Sequence, residues 1–239
     1  MKSMTNSLIN IKLNKMNNTV NNDTINNEMV PTYIHPVVIY GKRFFDIVFS
    51  TFALLLLLPV FPLLAIAIKL DTKGPVFYLQ QRLGISKNGN NKIFNVIKFR
   101  SMGTDAEKDG VAKLAEKADP RITRVGRFLR KTRFDETPQF INVLLGQMSV
   151  IGPRPERPEL TNDIEKKMPF FRERTYQVLP GLTGLAQVKQ SYLGSVHDID
   201  QKLAFDHVYS LSISNPQNWL KMDIAILLQT VLTVLKCNG

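Results

Sequence analysis

The stretch IVFSTFALLLLLPVFPLLAIAI, residues 47–68, decides how this chain folds. It holds 22 residues without a charge, and Ser50 and Thr51 are its only hydroxyl side chains. A helix of this length reaches about 33 Å at 1.5 Å per residue, and the hydrocarbon core of a bilayer is about 30 Å thick. Helices of soluble proteins rarely carry so long an uncharged run. The segment therefore predicts that the chain is held in a membrane.

The course of this segment in the membrane is left open by its residues. Pro59 and Pro62 lie near its middle, and each lacks the N–H that a helix needs, so a kink or break is expected there. Basic residues favour the cytoplasmic side of a membrane, and here they flank the segment at both ends, at Lys42, Arg43, Lys69 and Lys73. A broken helix that returns to the same face satisfies both flanks, whereas a straight span satisfies one.

The remaining sequence predicts an α+β protein with a mostly helical compact domain and one small β-hairpin. Residues 1–30 contain nine asparagines and no persistent period, so residues 1–38 are predicted to form a disordered tail. Residues 71–239 form the predicted compact domain. Two short strands are expected at 76–80 and 92–99, joined by a turn. Helices are expected at 105–118, 122–132, 138–145, 164–176, 201–210 and 220–236.

The charge of the chain points to an anionic partner. The formal net charge is +11, and all but one of the excess positive charges lie in residues 41–239. Such an excess attracts nucleic acid, anionic lipid or phosphate-rich substrates. No helix-turn-helix spacing, RNA-binding aromatic motif or zinc finger accompanies it, so no nucleic-acid partner is predicted. Cys237 is the single cysteine, which excludes an internal disulfide.

A basic stripe followed by two carboxylates is the strongest candidate for chemistry. Arginines recur every third residue at Arg121, Arg124, Arg127 and Arg130. Asp135 and Glu136 follow, and Thr137 and Pro138 predict a capped helix start directly after them. Arginine matches phosphate oxygens with its planar fork, and a carboxylate beside a phosphate site can attack phosphorus or hold Mg²⁺. An ordinary capping and salt-bridge cluster is the alternative.

Seven blocks of sequence, in this order, resemble those of the bacterial sugar transferases. They read KFRSM at 98–102, DPRITRVG at 119–126, LRKT at 129–132, DETPQ at 135–139, NVL at 142–144, MSVIGPRP at 148–155 and PGLTGLAQ at 180–187. More narrowly, they are similar to the monotopic phosphoglycosyl transferases that start glycan assembly on a polyprenyl phosphate. The resemblance covers residues 42–235.

The resemblance implies a reaction and its residues. Such enzymes move a sugar-1-phosphate from a UDP-sugar to undecaprenyl phosphate in two steps with Mg²⁺, and they release UMP. By this resemblance, Asp135 is the nucleophile that takes the phosphosugar, and Glu136 holds Mg²⁺ or handles a proton. Arg154, in the proline-bracketed loop, is expected to contact phosphate. Further candidates for substrate binding are Arg100, Arg121 and Arg130.

The resemblance also implies a place in the cell. The family has a re-entrant helix broken at a proline, which here implies a helix–break–helix over 42–70, with Pro59 as the best match for the break. Some members carry serine before that proline, whereas this chain has Leu58. The expected location is the bacterial inner (plasma) membrane, with the catalytic domain on the cytoplasmic face. Expected partners are the UDP-sugar, undecaprenyl phosphate, membrane lipids and downstream glycosyltransferases.

Overall fold

The computed structural model describes residues 33–87, 90–106, 119–169, 171–190 and 196–235. Its helices are α1 (Pro36–Leu57), α2 (Val60–Asp71), α3 (Arg124–Lys131), α4 (Gln139–Leu144), α5 (Pro158–Lys167), α6 (Leu185–Lys189), α7 (Val196–Ser212) and α8 (Pro216–Leu235). Its strands are β1 (Phe77–Lys87), β2 (Asn90–Phe99), β3 (Ser149–Ile151) and β4 (Gly181–Thr183). Two 3₁₀ turns cover Phe134–Glu136 and Phe171–Thr175. The α+β class is therefore confirmed.

The long apolar stretch forms two helices that meet at a sharp angle. His35 caps α1 by accepting a hydrogen bond from the Val37 N–H at 3.2 Å. The helix ends at Leu57, and α2 begins just after Pro59, whose missing N–H cannot continue the helical ladder. Pro62 lies in the first turn of α2, where no intrahelical donor is needed. The two helices are bent by 61° relative to each other.

No single helix in the described ranges is long and apolar enough to cross a membrane. The bent pair α1 and α2 passes the same test of length and composition together. Both helices, and Leu58 between them, leave large apolar side chains more than half exposed. In the helices these are Val37, Tyr40, Phe44, Val48, Phe52, Leu55, Leu56, Leu63, Ile66 and Leu70.

The opposite side of α1 is fastened to the compact domain by polar groups. Lys42 Nζ lies 2.9 Å from Asp223 Oδ2 and 3.0 Å from the carbonyl oxygen of Ile151. The guanidinium of Arg43 donates to the carbonyl oxygens of Val143 and Leu144, at the end of α4. Lys42 and Arg43 therefore bind the compact domain in addition to flanking the apolar segment.

Asp46 makes a further connection of the same kind. It is buried, and its carboxylate accepts hydrogen bonds from Ser149 Oγ at 3.0 Å and from the Val150 N–H at 2.8 Å. A buried charge is tolerated only when such partners satisfy it. These hydrogen bonds fix the position of α1 relative to β3.

The sheets are small, and each contributes to the position of the candidate site. β1 and β2 form an antiparallel hairpin in which Phe77 pairs with Phe99 and Arg82 pairs with Phe94. This confirms the predicted hairpin, with a longer first strand. β3 and β4 form a short parallel pair that was not predicted. At this pair a side chain on Gly181 would meet the Gly152 nitrogen at 2.1 Å, so glycine is required for the two backbones to approach.

Several expectations about helices are corrected. The helix predicted at 164–176 is α5 and a separate 3₁₀ turn, because Pro158 starts the helix earlier and Pro169 interrupts the chain after it. α1 begins at Pro36, inside the segment 1–38 predicted as a tail. The rest of that tail, residues 1–32, and most of the helix predicted at 105–118 lie outside the described residues.

Candidate active site

The two carboxylates lie in a tight turn between α3 and α4. Arg133, two residues after the last residue of α3, lies in the left-handed region at φ 61°, a conformation that costs on the order of 1 kcal/mol for a residue with a side chain. The chain then forms the 3₁₀ turn Phe134–Glu136. The prediction that Thr137 caps a helix is wrong, because its hydroxyl donates to the Phe134 carbonyl at 2.8 Å and so closes the turn that carries Asp135.

Asp135 is buried without a hydrogen-bond donor at one of its oxygens. Its side chain is 8% exposed, and Oδ1 has no partner in the described part of the chain. Burial, followed by the neighbouring Glu136 charge, raises the pKa of Asp135 to about 6. The positive charges of Lys98, Arg130 and Arg133 act in the opposite direction. Oδ1 is therefore buried and has no donor among the described residues, which suits an oxygen that attacks phosphorus or binds a cation.

Glu136, the adjacent carboxylate, is held by two cations. Its Oε1 lies 2.7 Å from Lys98 Nζ and 2.7 Å from Arg154 Nη2. Burial alone would raise the pKa of Glu136, but Arg154 and Lys98 bring it well below its ordinary value. The pKa values of the two adjacent carboxyl groups are thus shifted in opposite directions: that of Asp135 is raised and that of Glu136 is lowered. Such divergence between paired carboxyl groups is typical of catalytic sites.

The loop that supplies Arg154 is fixed from both sides. Arg82, on β1, donates to the Pro155 carbonyl at 3.0 Å, and the Leu83 N–H donates to the Glu156 carbonyl at 2.8 Å. Arg174 donates to the Arg154 carbonyl and forms a buried ion pair with Asp206. Because these contacts come from the hairpin and from the 3₁₀ turn after α5, the Arg154 guanidinium is delivered to Glu136 by a rigid backbone.

The structure separates the four predicted substrate-binding arginines. Arg154 forms an ion pair with Glu136, and the positive charge of Arg130 lowers the pKa of Asp135. Arg100 lies elsewhere, where its guanidinium donates to the carbonyls of Thr72 and Lys73 after α2. Arg121 forms a two-pronged ion pair with Asp119, at 2.6 Å for the shortest contact. Arg100 and Arg121 therefore have partners within the chain, and the structure does not bring them to the Asp135 and Glu136 turn.

Sequence reasoning missed three residues at this site. Arg82, Lys98 and Gln139 line one small cavity with Arg154. Lys98 lies in the KFRSM block and Gln139 in the DETPQ block. Their place in these family-like blocks was the one feature of the sequence that could have identified them. Arg82 lies in a strand whose approach to residue 154 depends on tertiary contacts.

The predicted Mg²⁺ fits the donor set at this turn. The described ranges hold no cluster of three or more His, Cys, Asp or Glu side chains suited to a metal. Mg²⁺ is commonly bound by one or two carboxylates, with substrate phosphates and water as the other ligands. The unpartnered Oδ1 of Asp135 is one such oxygen, while Glu136 already binds Lys98 and Arg154.

Comparison with known proteins gives this turn a family context. Residues 37–237 match the model of the bacterial sugar transferase family. The chain is 40% identical over 204 residues to UDP-N-acetylgalactosamine-undecaprenyl-phosphate N-acetylgalactosaminephosphotransferase of Aeromonas hydrophila, covering 85% of this chain and 46% of that protein. It is 40% identical over 195 residues to undecaprenyl-phosphate glucose phosphotransferase of Komagataeibacter xylinus, covering 80% and 35%.

A third relative has a length closer to that of this chain. The exopolysaccharide production protein PSS of Rhizobium leguminosarum bv. phaseoli is 47% identical over 152 residues, which cover 62% of this chain and 73% of that protein. The chain spans less than half the length of the Aeromonas and Komagataeibacter proteins. The chain belongs to the bacterial sugar transferase family.

Proposed function

We propose that this protein transfers a sugar-1-phosphate from a UDP-sugar to undecaprenyl phosphate and releases UMP. The observation that carries the proposal is the buried Asp135 carboxylate, which has an unpartnered oxygen and lies beside a cluster of cations. The names of the relatives support the acceptor and the phosphosugar. The product would be the lipid-linked sugar that starts an exopolysaccharide or related glycan and that downstream glycosyltransferases extend.

The proposed chemistry has two displacements at phosphorus. An Asp135 oxygen attacks the β-phosphorus of the UDP-sugar, and the bond from that phosphorus to the oxygen it shares with the α-phosphorus breaks, so UMP leaves. A phosphate oxygen of the lipid then attacks the same phosphorus, and the Asp135 carboxylate is restored. Arg154 and Lys98 neutralise charge on the phosphate oxygens. Mg²⁺, when bound, would be held by the free Asp135 oxygen together with phosphate oxygens and water, and it would neutralise charge on the diphosphate.

A UMP-release assay tests this activity. The purified protein in lipid nanodiscs receives Mg²⁺, undecaprenyl phosphate and one UDP-sugar at a time, drawn from UDP-glucose, UDP-galactose and their N-acetylated forms. We expect sustained UMP release with at least one sugar and dependence on the lipid acceptor. No UMP from any sugar would overturn the proposal.

We further propose that α1 and α2 form a re-entrant hairpin in the inner membrane and keep the domain on the cytoplasmic face. The 61° bend and the exposed apolar side chains of both helices support it. Lys42, Arg43 and Asp46 bind the compact domain, so the start of the hairpin is fixed beside β3. This arrangement would place the Asp135 turn near the depth of a lipid phosphate and favour encounter with the acceptor.

Cysteine labelling tests the re-entrant path. In a Cys237→Ser background, Tyr40→Cys and Thr72→Cys are treated with a membrane-impermeant maleimide, with Lys87→Cys marking the domain. We expect all three to be protected in spheroplasts and labelled after lysis, because both ends of the hairpin lie on the cytoplasmic side. Labelling of Tyr40→Cys alone in spheroplasts would show a true span.

The rate of UMP release should depend on pH through Asp135. Its pKa is raised to about 6, and only the ionised carboxylate attacks, so the rate should rise through about pH 6 and level off above it. Arg130→Gln removes a charge that lowers this pKa, so its inflection should move to higher pH. The measurement is the single-turnover rate between about pH 5 and pH 8. A flat profile would contradict an ionising Asp135.

A further inference from the structure

Gln139 has a buried amide group without a partner. Its side chain is 3% exposed, and Nε2 makes no hydrogen bond to any of the described residues. Leaving a buried donor unsatisfied costs about 1–3 kcal/mol. A buried hydrogen-bond donor that no protein group satisfies is expected to donate to a ligand or to a water molecule. Its position decides which ligand to consider.

The amide lies in a cationic cavity next to the carboxylate turn. Gln139 is the first residue of α4, three residues after Glu136, and it lines the cavity with Arg82, Lys98 and Arg154. The cavity has a volume of about 10 Å³, which admits one water molecule or one oxygen of a phosphate group. Glu136 binds two of these cations, at Lys98 and Arg154. Burial, followed by the nearby charge of Arg154, lowers the pKa of Arg82 to about 10, and the charges of Glu156 and Glu136 act in the opposite direction. The lining of this cavity thus combines three positive charges with a neutral amide that has a free N–H donor.

We propose that Gln139 is a phosphate-binding residue whose amide donates a hydrogen bond to a non-bridging phosphate oxygen of the substrate. A phosphate oxygen satisfies both the free donor and the surplus of positive charge. The amide would fix the orientation of the phosphate without adding charge to the three cations. This proposal rests on the proposed function and adds a ligand-contacting residue to the same site.

Thermal stability without ligand tests whether the amide is kept for a ligand. Gln139→Met has a similar length and removes the unsatisfied donor, so its melting temperature should equal or exceed that of the wild type. The matched control is Gln147→Met, because Gln147 Oε1 accepts from Asn142 Nδ2 at 2.7 Å. That substitution leaves a donor unpaired and should lower the melting temperature. A similar fall for Gln139→Met would show a structural glutamine and overturn the proposal.

Binding measurements identify the phosphate. Isothermal titration compares UMP, farnesyl phosphate and uridine, which stand for the nucleotide phosphate, the lipid phosphate and a nucleoside without phosphate. Gln139→Met should weaken UMP, farnesyl phosphate or both by about tenfold, with uridine unchanged. The weakened phosphate shows which substrate the amide contacts. Gln139→Glu should weaken the same ligand further, because its added negative charge repels phosphate.

Three binding results would contradict a phosphate-binding role for Gln139. The proposal is overturned if Gln139→Met binds both phosphates as tightly as the wild type, if Gln139→Glu binds them more tightly, or if the wild type binds neither. These outcomes are separate from the fate of the proposed function. A wild type that binds UMP through Gln139 but turns over no UDP-sugar would refute the transferase activity alone.

Discussion

Asp135→Asn should reduce UMP release by about 10⁴-fold or more, since removal of a covalent nucleophile has effects of this order. The amide has nearly the same shape as the carboxylate but cannot form the acyl phosphate. Unfolding should not contribute to the loss. The pKa of Asp135 is raised in the folded protein, so the ionised carboxylate opposes folding near neutral pH, and a neutral replacement should be at least as stable.

The measurement is the UMP-release rate together with the melting temperature. Asp163→Asn is the matched control, because its side chain is 77% exposed and pairs only with the equally exposed Lys166 among the described contacts. It should leave both quantities unchanged. A normal rate for Asp135→Asn would remove the covalent role of this residue.

Glu136→Gln should destabilise the protein by about 3 kcal/mol, because it leaves Lys98 and Arg154 without their shared buried anion. The same change should slow UMP release by about 10²-fold, since two phosphate-facing cations lose their fixed positions. Chemical denaturation in detergent measures the first effect and the release assay the second. Unchanged stability would show that the ion pairs do not hold the site together.

The destabilisation should depend on pH with a definite sign. The pKa of Glu136 is lowered well below its ordinary value of 4.5, so its stabilising contribution is present above that value and is lost as the pH falls through the folded pKa. The matched control is Glu159→Gln, whose side chain is 54% exposed and lies 3.5 Å from Arg157. That variant should differ from the wild type by less than about 0.5 kcal/mol at any of these pH values.

Local signals in the sequence predicted the features that depend on neighbouring residues. The absence of an N–H at Pro59 predicts where the apolar helix breaks, and the break lies there. Alternation in 92–99 predicted β2. The pair Asp135 and Glu136 was identified from its neighbours in the chain, and the structure places it in a buried turn between two helices.

Contacts between distant residues could not be predicted in the same way. A charge pattern gives the number of arginines but not the direction of each guanidinium. Arg100 was named as a substrate-binding candidate from the family resemblance, and only the structure shows that its guanidinium donates to the carbonyls of Lys73 and Thr72, 27 and 28 residues earlier in the chain. Lys42 looked like a membrane flank, although its ammonium group binds Asp223. Arg82 was missed because only the folded hairpin brings it to Pro155.

The most direct test of the account is the fate of labelled phosphorus when no lipid acceptor is present. The wild-type protein is mixed with Mg²⁺ and a UDP-sugar carrying ³²P at the β-phosphate, and the protein is then digested. We predict a burst of one UMP per protein, with the label on the peptide that contains Asp135 and released from that peptide by hydroxylamine. In a parallel sample, undecaprenyl phosphate added to the intact labelled protein should remove the label before digestion. UMP release that requires the lipid from the start, with no label on the protein, would contradict the account.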